Sequence, residues 1–135
     1  MATRSRIGIV LKDDSILSAY HHWDGYPEWL GVVLEREYNS REKVAELIDG
    51  GNMSSCWSTR DGDGNEVEPH VEYYGGEDEA PELSKSLGEL AEIDMGEEYV
   101  YLWFMGEWNC YSISRTHDEH WNVTKTNISV VTIPQ

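Results

Sequence analysis

Residues 97–105 constrain the fold of this chain more than any other stretch. Tyr99, Tyr101, Trp103 and Met105 fall on one side of an extended segment, and Val100, Leu102 and Phe104 fall on the other. Successive strand side chains point to opposite faces, so a strand apolar on both belongs in the middle of a sheet. Gly106 and Glu107 then form a two-residue turn with Gly first, the pattern of a type II′ hairpin, and residues 108–114 return beside the strand.

Other segments supply partners for that strand. Residues 6–11 and 16–22 read as a hairpin around the polar turn 12–15. Pro27 suits the first position of a helix, and Leu30, Leu34 and Tyr38 recur at helical spacing with Val33 beside them. Asn39 is expected to cap a second helix, with Glu42 at the capping-box position, an apolar stripe of Val44, Leu47 and Ile48, and Gly50-Gly51 as its end. Residues 67–74 read as an edge strand because they contain Pro69. Residues 81–93 read as a third helix, with Leu83, Leu87, Leu90 and Ile93 on one face. Val123 and residues 128–133 add strand material. The expected fold is α+β: a single acidic domain over 1–135, mainly antiparallel, with about three short helices.

The charge narrows the function. Ten Lys+Arg stand against 26 Asp+Glu, a formal net charge of -16. Phosphates are held by clustered cations, so this balance speaks against direct nucleic-acid binding, and the same sign speaks against an anionic membrane surface. No apolar stretch nears the ~20 residues that span a bilayer, and the apolar run at 7–11 is short for an export signal. With 6 Trp and 8 Tyr, the chain is too aromatic for a solvated acidic tail. Cys56 and Cys110 lie far apart without metal-knuckle or redox spacing and are expected as buried thiols.

The acidity is localised. From Asp61 to Glu107 there are 15 carboxylates and one cation, Lys85, so this span holds -14 of the -16. On the expected third helix, Glu82, Glu89 and Glu92 avoid the leucine stripe and share the solvent side. Such a run can serve only as a solubilising face. It can also be a surface for a basic partner, with Glu77, Asp78, Glu79, Glu82, Glu89, Glu92 and Asp94 occupying a cationic groove built for DNA or RNA. Trp23 and Trp29 are the expected aromatic anchors of that contact, the six tryptophans otherwise filling the core and lining its surface.

Two constellations suggest other chemistry. Asp61, Asp63, Asn65 and Glu72 stand at EF-hand calcium-loop positions. Glu66 replaces the required Gly and Pro69 sits at position 9, so an ordinary turn is expected and no metal site or cofactor is assigned. His22 and Asp24 could be the acid/base pair of a small hydrolase. However, His21 and His22 point to opposite faces of a strand, and His117 and His120 lie three apart in a turn. Structural roles are expected for all four.

The sequence His22-Trp23-Asp24-Gly25-Tyr26-Pro27, after an opening Thr3-Arg4-Ser5 strand and before Tyr38-Asn39-Ser40-Arg41-Glu42-Lys43-Val44, resembles a family of small proteins frequent in bacteriophage genomes. The likeness covers about the first 50 residues and, loosely, the late aromatic hairpin. It brings no catalytic residue with it. It implies a phage-borne accessory protein acting in the host cytoplasm, of the kind that disables a basic host protein such as a defence nuclease or RNA polymerase.

Overall fold

In the computed structural model, residues 3–57, 70–93 and 95–134 are described, apart from the side chains of Trp57, His70 and Glu77. The first strands, β1 (Ser5–Val10) and β2 (Ile16–His21), form the expected antiparallel hairpin. Its turn is held by the Asp13 carboxylate, which accepts from the backbone N–H and the hydroxyl of Ser15. These bonds lower the Asp13 pKa.

A π-helical turn, Pro27–Gly31, leads into α1 (Val32–Glu37), followed by α2 (Arg41–Asp49). The cap of α2 is one residue later than the sequence suggests. Ser40 is extended (φ -144, ψ 153), and its hydroxyl accepts from the Lys43 N–H. This puts Lys43, not Glu42, three residues beyond the cap, so no capping box forms.

Among the described residues eight strands build one mixed sheet with three α-helices. The remaining strands are β3 (Met53–Trp57), β4 (His70–Tyr73), β5 (Glu82–Ser84), β6 (Tyr99–Phe104), β7 (Glu107–His117) and β8 (Val123–Val131). Their order is β4-β3-β2-β1-β6-β7-β8, with β5 also paired to β2. The β1–β6 and β2–β3 pairs are parallel and the others antiparallel. The doubly apolar strand is central, and β4 lies on the edge, both as expected.

Helices α1 and α2 cover one face. Val33, Leu34, Val44, Leu47 and Ile48 pack there on Ile7, Ile9, Ala19, Tyr101 and Trp103. Each such side chain, fully buried, stabilises by roughly 1.5–3 kcal/mol. Trp103 and Trp108 meet edge to face at 5.5 Å, and the Trp108 indole donates to the Leu34 and Tyr38 carbonyls that close α1. On the other face α3 (Leu87–Ala91) sets Leu90 and Ala91 on Ile16, Val100, Leu102 and Ile113.

Two further local expectations are corrected. Residues 81–93 do not form one helix. The stretch Glu82–Ser84 instead pairs with Ile16–Ser18 and satisfies the open edge of β2. The helix begins only after Ser86, whose hydroxyl accepts from the Glu89 N–H at 3.1 Å. Leu83 therefore leaves the supposed stripe and stands 63% exposed. The late hairpin turns at Met105 and Gly106, with Phe104 paired to Glu107. Both turn residues have positive φ (53 and 78), which makes a type I′ turn, the mirror form whose twist matches the strands.

Candidate functional site

The acidic segment is anchored from below by three arginines. On the face opposite α1 and α2, the fully buried Arg6 of β1 donates through Nε to Ser18 Oγ (2.8 Å) and through Nη1 to Glu97 Oε2 (3.0 Å). Arg115 of β7 donates to the backbone oxygens of Glu97 and Ala91, each at 2.9 Å, and its Nη2 lies 4.0 Å from Glu97 Oε1. Arg4 donates to the Met95 carbonyl, and its own carbonyl accepts from the Glu98 N–H. Glu97, 2% exposed, also accepts from the Met95 N–H at 2.7 Å. A carboxylate so deeply buried needs charged partners, and two guanidinium groups supply them.

This inward clamp sorts the charges. Arg6 and Arg115 are spent on Glu97 and backbone carbonyls, while Asp78, Glu82, Glu89, Glu92 and Glu98 are exposed. Glu82 keeps one inner contact, 4.0 Å from Arg6 Nη2. Glu79 is half-buried, accepting from the Asn52 amide at 3.0 Å. Glu82, Glu89 and Glu92 are thus presented by a strand, a helix and that helix's C-cap rather than by one helix face. The Glu77 side chain and Asp94 lie outside the described residues.

The expected aromatic anchors differ from one another. Trp23 is half-exposed and meets the His22 ring edge-on at 4.7 Å. Trp29 is partly buried against the core beneath the helices.

The His-Trp-Asp-Gly-Tyr-Pro loop is tied to the sheet. The Gly25 N–H donates to the Thr3 carbonyl (2.8 Å), and the Tyr101 hydroxyl donates to the Gly25 carbonyl (2.7 Å). A Cβ at Gly25 would lie 2.5 Å from Ser5 Oγ and 2.6 Å from the Thr3 carbonyl oxygen, so only glycine fits. His21 is fully buried with Nδ1 3.4 Å from Ser5 Oγ and, among the described residues, no hydrogen-bond partner for Nε2. Burial, reinforced by His22, pushes its pKa down to about 3. His22 Nδ1 and the Tyr20 hydroxyl are 2.8 Å apart. Asp24 is exposed at a φ of 56, and Tyr26 precedes the helical turn without a side-chain cap. Among the described residues no hydrogen bond joins His22 to Asp24, so the loop geometry is that of a held turn.

Elsewhere the titratable groups also serve structure. Cys56 and Cys110 are free and buried, and burial pushes both thiols up to about 12, which keeps them protonated and poorly nucleophilic. The Asp118 carboxylate accepts from the His120 and Asn122 N–H groups and closes the turn before β8; the Asn122 bond leads in lowering its pKa. The candidate calcium loop lies outside the described residues except Glu72, exposed on β4. Among the described residues no group of three His, Cys, Asp or Glu side chains is placed to hold a metal ion. An open cleft of about 330 Å³ between α2 and β4 is lined by Tyr38, Lys43, Leu47, Val71 and Tyr73.

The buried Arg6–Glu97–Arg115 cluster is not among the sequence-expected sites. Its one signal is Arg6 beside Ile7-Gly8-Ile9-Val10, a cation at an inward-alternating position. Comparison with protein families, curated proteins and solved structures gave no match.

Proposed function

We propose that this chain is a binding domain whose acidic surface occludes a basic, nucleic-acid-handling protein, acting as a nucleic-acid mimic. One observation carries the reading: Arg6 and Arg115 point inward, onto Glu97 and backbone carbonyls, while Asp78, Glu82, Glu89, Glu92 and Glu98 are exposed. A face made only for solubility needs no such sorting, because mixed surface charge serves that purpose. The phage-like motif fits a partner in a bacterial host.

The test is capture from bacterial lysate on the immobilised chain, with elution in a salt gradient and duplex DNA as competitor. A basic protein should elute as salt rises and be displaced by the DNA. The combined Glu82→Lys, Glu89→Lys and Glu92→Lys variant should lose most of the capture, with some loss of melting temperature because Glu82→Lys puts a cation beside the buried Arg6 guanidinium. All three side chains are exposed, and long-range steering depends on summed charge. Capture indifferent to salt, or a triple variant that binds like the parent, refutes the reading.

A further inference from the structure

We propose that β8 is a self-pairing edge, through which two copies of this chain join antiparallel about a two-fold axis at Asn127. β8 ends the sheet; its nine residues pair with β7 on one side, and among the described residues nothing pairs with the other. Short edges resist pairing, whereas a long edge without proline offers a row of backbone donors and acceptors.

Three features of this edge fit a second copy. The first is charge: residues 108–135 hold Arg115 and Lys125 against Asp118 and Glu119, so this end is neutral on a molecule of -16. Two such anions meet along a strand that has no carboxylate of its own, with Glu92 beside it across the cleft between α3 and β8. The second is exposed apolar area. Along the edge, Val130 and the preceding Trp121 are each 82% exposed, and Val123 is exposed as well. Large exposed side chains gathered at a sheet edge mark an interaction surface.

The third feature is register. Pairing about Asn127 sets Val123 opposite Val131, Thr124 opposite Val130 and Thr126 opposite Ile128 of the other copy. Cross-strand pairs of β-branched residues are among those that stabilise sheets. Lys125, the residue type that usually keeps edges apart, falls opposite Ser129 instead of another lysine. Edge pairing of one strand sits at the low end of interface size, roughly 1,200 Å² or less, so the dimer is weak and reversible.

Sedimentation of the full chain over a concentration series tests this. A monomer–dimer equilibrium should appear and should tighten as salt is raised, since salt screens the repulsion between the two molecules. That is the opposite sign to the partner contact, so the two proposals fail separately. Val130→Lys, at an exposed position, should weaken the dimer by about tenfold, and adding Thr124→Glu should restore it through two cross-copy ion pairs. Asn127→Cys should give a disulfide-linked dimer under mild oxidation, because the residue faces itself, while Ser129→Cys should not. A monomeric mass up to about 1 mM, or equal cross-linking by the two cysteine variants, overturns the proposal.

Discussion

Lowering the pH should destabilise this protein through a single buried imidazole, His21. In the fold its pKa is depressed to about 3 by burial, against 6.5 for the unperturbed side chain. The folded state therefore keeps His21 neutral while the unfolded chain takes up a proton below pH 6.5. Stability is fully present above 6.5, and it is lost progressively as pH falls toward the folded value. At pH 5 the unfolded chain is favoured by 1.5 pH units' worth of protonation, about 2 kcal/mol. For a domain of this length that is a fall in melting temperature of roughly 6–10 °C. In the window from pH 7 to 5.5 ordinary carboxylates stay ionised, and a variant that keeps the other four histidines isolates the part due to His21. The assay is urea unfolding at half-unit pH steps for the parent and for His21→Leu. The variant carries its own packing cost, so the comparison rests on slope. The parent should lose stability steeply through the window and the variant should not. Parallel slopes would refute the reasoning and place His21 in contact with water or a proton acceptor.

Two further changes probe other parts of the fold. Glu97→Gln keeps the shape of the side chain but leaves Arg6 and Arg115 without their carboxylate, and it should cost about 3–5 kcal/mol in denaturant unfolding; a loss below 1 kcal/mol would mean that the guanidinium groups find water instead. Met105 is exposed and held at a φ of 53, so Met105→Asn should stabilise by about 0.5–1 kcal/mol, read as a raised melting temperature; a lowered one would show that the side chain packs on something.

What could be read from the sequence were the elements with strong periodicity. The central strand, the N-terminal hairpin and the stripe of α2 each repeat apolar residues over two or more turns or pleats, and each forms as expected. Residues 81–93 failed because leucine spacing alone cannot distinguish a helix from a strand that leaves its leucine in solvent. The open edge of β2 decided the matter, and an edge is a property of the assembled sheet. β3 escaped notice for the same reason: Met53-Ser54-Ser55-Cys56-Trp57 has little pattern of its own and is a strand because β2 and β4 flank it. The acidity of the candidate surface was legible as composition. Its anchoring was not, since Arg6, Glu97 and Arg115 are far apart in the chain and meet only through the β1–β6–β7 register.

That register gives the buried cluster its place in the functional reading. Glu97 belongs by sequence to the acidic run, yet it turns inward as the counter-ion for two arginines that would otherwise neutralise the surface above them. One carboxylate inside thus takes up most of the guanidinium charge, Glu82 alone of the exposed ones described keeping a contact with Arg6, at the cost of burying charge where an apolar core of the same volume would be at least as stable. A fold selected for stability alone has no use for this exchange. A fold that must hold carboxylates outward on a fixed frame does, because the bonds from Arg115 and Arg4 to the backbone at 91, 95 and 97 fix the segment that carries Glu92 and Glu98. The frame and the surface are therefore separable. Glu97→Gln should loosen the frame and weaken partner capture together with stability, whereas reversing Glu89 and Glu92, which do not touch the cluster, should weaken capture alone. If Glu97→Gln lowers stability but leaves capture and its salt dependence unchanged, the clamp is only a structural ion pair and the acidic surface needs no frame.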